Sequence, residues 1–417
     1  MAVYAKVEAI AINTGTGPQS VSGLGFTPKL VIFQSTPDTA DIVSSIANEH
    51  FSFGAFDGTN QVMAMTNSRN GIVTSDADGV MDSTDVVYVA DPPGTITPDY
   101  IVRATSLDVD GFTMNVFNAP PINYRLGYMA LGGDDITNVF CGTFQSKGST
   151  GTSVISGLGF KPDLIILFGN QMFSGYPAAT GTMEFTMGFG NATDQFSGSA
   201  YGNTGNNPQG VAKAQQTGYI YYAVGSPTFA SVQAQLVSLD TDGFTLNYVV
   251  HSSLANHYIH FIAIKGTANF KSSIGTVQLN ASTSGSSAVA GLPYGPSAGL
   301  FLSSCQPTNN ALVASFSELS IGFVDESKNH FVTAGTTKTL TGSVRAYHTS
   351  HDNRIMRYIN YVDSTLREDA SISSWNSDGF TVVSDIGGPT SYVGYLVLNA
   401  TGYTPPPIIS DVYGFLV

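Results

Sequence analysis

Apolar and polar residues along the chain follow two strand patterns. Leu164-Ile165-Ile166-Leu167-Phe168 is a continuous apolar run after a proline, the pattern of a strand buried on both faces. Phe244-Thr245-Leu246-Asn247-Tyr248 alternates apolar and polar positions, which predicts a strand with one face in a core. A further strand is expected over Ile259–Ile264. Asp-Gly pairs stand between such segments at Asp110-Gly111, Asp242-Gly243 and Asp378-Gly379. They predict tight hairpins in which glycine accepts a positive φ. The only short helix suggested by the pattern lies at Asp41–Asn48.

These elements recur. Gly23-Leu24-Gly25-Phe26-Thr27-Pro28 returns as Gly157-Leu158-Gly159-Phe160-Lys161-Pro162, and more loosely as Gly291-Leu292-Pro293-Tyr294-Gly295-Pro296. Gly54, Gly188 and Gly322 keep the same spacing. The Asp-Gly-Phe-Thr segments beginning at Asp110, Asp242 and Asp378, and the closing segments at Tyr128, Phe261 and Tyr395, recur at nearly that spacing. Four anchors in one order at a near-constant interval predict three tandem copies of one unit: 1–133, 134–267 and 268–402, with a Pro-rich tail at 403–417. Each unit is long enough to own a core, unlike the short repeats of a solenoid. The fold expected is all-β: three antiparallel β-sandwich, jelly-roll-like domains able to close into a pseudo-threefold ring.

Composition agrees. The 417 residues include 45 glycines and only 11% charged residues, a composition that fits neither a coiled coil nor a disordered chain. Sixteen basic and 30 acidic side chains leave a formal charge of −14, which disfavours nucleic acid as a partner. No apolar run approaches 18 residues and no leader pattern opens the chain, so neither a membrane span nor a signal peptide is expected. Cys141 and Cys305 make no disulfide framework and are expected as buried thiols.

Candidate chemistry is sparse. Asp110, Asp242 and Asp378 each precede a glycine and are expected to be turn residues, with Gly111, Gly243 and Gly379. Asp108-Val109-Asp110 and Asp240-Thr241-Asp242 resemble the opening of a calcium loop but lack its later oxygen ligands, and Asn376-Ser377 interrupts the pattern in the third copy. His257 and His260, near His251, are three apart on a strand pattern and so point to opposite faces, which makes no ready metal pair. No catalytic, metal or cofactor site is expected. One cluster stands out: Arg345, Arg354, Arg357 and Arg367 are four of seven arginines, with His348 and His351 among them. The residues fit either a solvated loop and edge strand balanced by Asp352, Asp363, Glu368 and Asp369 or a partner-docking patch pairing with a partner's carboxylates.

The order Gly-Leu-Gly-Phe-x-Pro, Asp-Gly-Phe-Thr, then Tyr-Met-Ala-Leu-Gly-Gly-Asp (Tyr128–Asp134) resembles a repeated module of tailed-bacteriophage virion structural proteins. The resemblance spans nearly the whole chain, three times, and is weakest in the third copy. It implies a structural role in a virion, made in the host cytoplasm, with the major capsid protein or another virion protein as partner. The reading it favours is a non-catalytic capsid decoration, or cement, protein on the outer shell. The alternative is a tail-fibre or baseplate protein that binds a host receptor or surface glycan, for which Tyr219, Tyr221 and Tyr222 are the stacking candidates. The third option is a cell-envelope polysaccharide hydrolase.

Overall fold

In the computed structural model, the described residues are 2–41, 45–91, 97–170, 172, 178–206, 210–252, 256–314, 316–340, 343–360 and 362–401. The tail expected at 403–417 lies outside them. The described residues form an all-β structure of six sheets and contain no helix. Asp41–Asn48 is not helical where described: Ile46–Ala47 is a two-residue strand.

Each repeat contributes one large and one small sheet with the same strand order. In repeat 2 the large sheet runs Ile136–Gln145, Tyr258–Gly266, Leu164–Gly169, Thr182–Asn191, Gln195–Asn203, Val211–Thr217. The small sheet runs Gly151–Ser156, Gly243–His251, Phe229–Asp240, Tyr221–Ser226. Leu164–Gly169 is buried at every position, as its unbroken apolar run requires, because the large sheet is covered on both faces. One face packs on the small sheet and encloses a core particular to the repeat, such as the cluster of Ile165, Leu167, Tyr221, Phe244 and Leu246. Repeats 1 and 3 have equivalent cores around Phe112 and Phe380.

The other face of each large sheet turns toward the other two. Ile32 and Met129 of repeat 1, Leu164 and Ile166 of repeat 2, and Leu300 and Leu396 of repeat 3 share one apolar cluster. Phe53 bridges it, with ring centroids 4.9 Å from Phe168, 6.4 Å from Phe185 and 6.3 Å from Phe323.

Strands also cross between repeats. Ile46–Ala47 of repeat 1 pairs with Tyr347 and His348 of repeat 3. Ala178–Thr180 of repeat 2 pairs with Gly79–Met81 of repeat 1, and Ala311–Val313 of repeat 3 pairs with Lys213–Gln215 of repeat 2. Each repeat thus lends a short strand to the large sheet of another, in cyclic order. A backbone donor row that an outermost strand would leave open is covered each time. Ala400–Thr401 additionally lies parallel to Val3–Tyr4, tying the end of repeat 3 to the start of repeat 1.

The repeated glycines have a common cause. A Cβ on Gly188 would sit 2.0 Å from the Ile220 carbonyl oxygen, and Gly54 and Gly322 meet Val86 and Ile355 in the same way. The Asp-Gly hairpins form as expected, but positive φ explains only one of their glycines, Gly243 at +153°. What all three share is close approach: a Cβ on Gly111, Gly243 or Gly379 would lie 1.8–1.9 Å from a carbonyl oxygen of the adjacent edge strand.

Candidate functional site

The three turn aspartates fasten the first sequence anchor to the third. Asp242 accepts the Gly157 and Gly159 amides at 3.0 and 2.6 Å, and Asp110 accepts those of Gly23 and Gly25. Asp378 accepts only Gly291, at 3.1 Å, because Pro293 occupies the second donor position and has no N–H. The divergence of the third copy thus costs one hydrogen bond of this clasp. The preceding acids are engaged as well: Asp240 accepts Ser238 and Thr245 hydroxyls at 2.7 and 2.6 Å, which hold its carboxyl below the ordinary range. Asn376 takes the same place in repeat 3, bonded to Ser374 and Thr381.

The Arg/His cluster of repeat 3 is largely turned inward. His348 is 1% exposed, with Nε2 3.1 Å from the Asp38 carboxylate and Nδ1 2.7 Å from the Asn48 carbonyl oxygen, both in repeat 1. Burial opposes its charge, yet Asp38 holds the imidazole above its ordinary pKa and is itself held low by that imidazolium. His351 lies 3.9 Å from Asp41, and Arg125 joins Asp41 (2.6 Å) and Asp352 across the same seam. Arg357 is 2% exposed between Asp369 and Thr349. Arg354 forms an ion pair with Asp369 at 3.0 Å, Arg345 is half-buried, and only Arg367 stands exposed, beside the Tyr358 hydroxyl. The outward docking patch, one of the two readings of the sequence, is therefore not what these six residues form. His348 and His351 dock repeat 3 onto repeat 1, and Arg354 and Arg357 brace repeat 3 internally.

Polar groups that the sequence did not single out occupy the seams. Glu49, fully buried, accepts the Thr337 hydroxyl of repeat 3 at 2.6 Å, and burial pushes its carboxyl up to about 7. Next to it, burial and the His348 charge bring His50 down to about 3. Lys213 of repeat 2 reaches Glu318 of repeat 3 at 2.6 Å with both side chains 1% exposed, and donates to the Cys305 carbonyl. Burial pushes Glu318 upward against the pull of Lys213. Glu184 is buried at the corresponding strand of repeat 2, and its carboxyl is raised strongly.

A second set of seam contacts runs the other way around. Asp57 of repeat 1 accepts the Cys141 amide of repeat 2 at 2.8 Å. Asp325 of repeat 3 accepts the Val7 amide of repeat 1 at 2.9 Å. Asn191 of repeat 2 donates to the Ser272 carbonyl of repeat 3 at 3.2 Å. Residues 57, 191 and 325 keep the repeat interval, so this signal was present in the sequence as a fifth anchor.

The remaining candidates are structural. Tyr221 and Tyr222 are buried and Tyr219 half-buried, in ring contact with Tyr222, so this group is not an exposed stacking platform. His260 is buried, bonded to the Thr143 hydroxyl and the Met63 carbonyl, with its pKa lowered by burial to about 3. His257 is buried beside His251 and lowered to about 4 by burial. Both cysteines are buried free thiols, and burial pushes both thiol pKa values well up. Among the described residues no three His, Cys, Asp or Glu side chains converge as a metal site would need.

No family model matches the chain. No curated protein matches it either. Among solved structures, OmpT, an outer membrane protein of Vibrio cholerae, aligns over 95% of this chain and 99% of its own at 8% identity, with a TM-score of 0.10. A score that low carries no likeness of fold.

Proposed function

We propose that the three repeats are jelly-roll-like β-sandwich domains closed into a pseudo-threefold ring. In this reading the chain is a non-catalytic structural protein of a phage virion, a decoration protein seated on the outer shell. The carrying observation is the cyclic lending of short strands, repeat 1 to 3, 2 to 1 and 3 to 2. Equal strand orders and a common apolar cluster support the same arrangement. A covalent trimer of this kind suits a point where three shell subunits meet, because each repeat offers one subunit a similar surface. Tethering the three contacts raises their effective concentration, so weak individual contacts give firm retention. The module resemblance supplies the virion context.

Gold-antibody labelling of purified virions from the source tests this reading. Label spread over the head supports it. Label confined to the tail tip moves the assignment to receptor binding, and unlabelled particles overturn the virion role.

A further inference from the structure

A groove of about 690 Å³, within the range of small-ligand sites, lies between repeats 1 and 2. One wall is the strand Ile136–Gln145 with Phe140 and Phe144. The second is the edge strand of the small sheet at Ser153–Ser156, and the third is the turn of repeat 1 at Thr59–Val62, with Ser83. We propose that this groove is a binding site for a neutral oligosaccharide.

Its lining carries hydroxyl, amide and aromatic groups and no charged side chain, in a protein of formal charge −14. Asp57, next to the Thr59–Val62 turn, is occupied in accepting the Cys141, Thr59 and Asn60 amides. Phe140, half-buried, lines the groove and stacks on the buried Phe261 ring at 5.8 Å and 16°. Flat aromatic faces suit the C–H face of a sugar ring, while Asn60, Gln145, Ser83 and Ser153 offer neutral donors and acceptors to its hydroxyls. An anionic sugar would find no counter-charge there.

Strand register shows that the Phe140–Phe261 pair has no counterpart in repeats 1 and 3. Ala130, Ala263 and Val397 occupy one position of the closing strands, and opposite them stand Lys6, Phe140 and Ser273. At the next aromatic position, Tyr128, Phe261 and Tyr395 face Glu8, Gly142 and Gly275. In repeat 1 the Glu8 carboxylate bonds the Tyr128 hydroxyl, and the crevice beside it is lined by Lys6, Glu8, His330 and Asp352. Repeat 2 has glycine where that carboxylate stands and phenylalanine where the lysine stands. Together they leave an uncharged, aromatic-floored groove.

The test is saturation-transfer NMR of the full chain with maltotriose, cellotriose and chitotriose, followed by an array of neutral and acidic glycans. At least one neutral glycan should bind. Phe140→Ser, which installs the residue of repeat 3, should weaken binding tenfold or more. Because Phe140 also packs against the core of repeat 2, exposed Gln145→Ala serves as the second variant. It should weaken binding several-fold with an unchanged melting temperature. The proposal is overturned if no neutral glycan binds at millimolar concentration, if acidic glycans bind equally well, or if Gln145→Ala binds as the parent does.

Discussion

Truncating Phe53 separates an interlocked molecule from three independent beads. Its side chain is 0% exposed and meets Phe168 and Phe185 of repeat 2 and Phe323 of repeat 3, all in tilted or edge-on contact. A buried Phe→Ala change costs ~3–5 kcal/mol, and three lost ring pairs place this one toward the upper end. The single tryptophan, Trp375, is a reporter in another repeat: it is half-buried in repeat 3 and donates to the Asp325 carbonyl at 3.1 Å. Urea unfolding followed by Trp375 fluorescence therefore reads repeat 3 while the lesion sits in the strand Glu49–Phe56 of repeat 1. With an m-value of ~3–4 kcal/mol/M for a chain of this size, the midpoint should fall by ~1 M. An unchanged Trp375 midpoint, with loss confined to far-UV signal from part of the chain, would refute the reasoning, since the repeats would then unfold separately.

Four other outcomes follow from the seams and turns. Glu49→Gln should be more stable than the parent at pH 8 but not at pH 4. The native carboxyl near 7 lies above the ordinary 4.5, so the folded state holds the proton longer, and stability falls as pH rises between those values. The full difference is ~3 kcal/mol, read from urea midpoints across that window. Glu318→Ala, which strands the Lys213 ammonium, should cost ~3–5 kcal/mol, whereas the paired change Lys213→Met with Glu318→Leu should be near neutral in the same assay. Gly188→Ala should cost ~3 kcal/mol or more in thermal unfolding because a carbonyl lies 2.0 Å from the new Cβ. Asp242→Ala should speed hydrogen exchange at the Gly157 and Gly159 amides, with a stability cost on the order of 1 kcal/mol.

The all-β class was legible because strand patterning is local: Leu164–Phe168 and Phe244–Tyr248 announce their burial in their own composition. The repeat was legible because close backbone approaches admit only glycine, and such positions keep their spacing. The seams were harder to see. Glu49, Lys213 and Glu318 read as ordinary surface charges until the large sheets are stacked against one another. Asp369, which pairs with Arg357, was among the carboxylates expected to balance the cluster, whereas Asp38, the partner of His348, cannot be chosen from sequence among so many acids. The crossing strands were hidden for a different reason. Ile46–Ala47 and Ala311–Val313 are two and three residues long, too short to carry a period of their own, and their pairing is dictated by the sheet they join. The Asp41–Asn48 helix expectation failed on that point.

The closed arrangement of the three repeats is tested most directly by small-angle scattering of the full chain in solution. Compact packing of 417 residues gives a radius of gyration of about 22 Å, whereas three such units strung end to end give about 33 Å. The account predicts a value near the first, with a distance distribution that has a single maximum. A value near the second would contradict it.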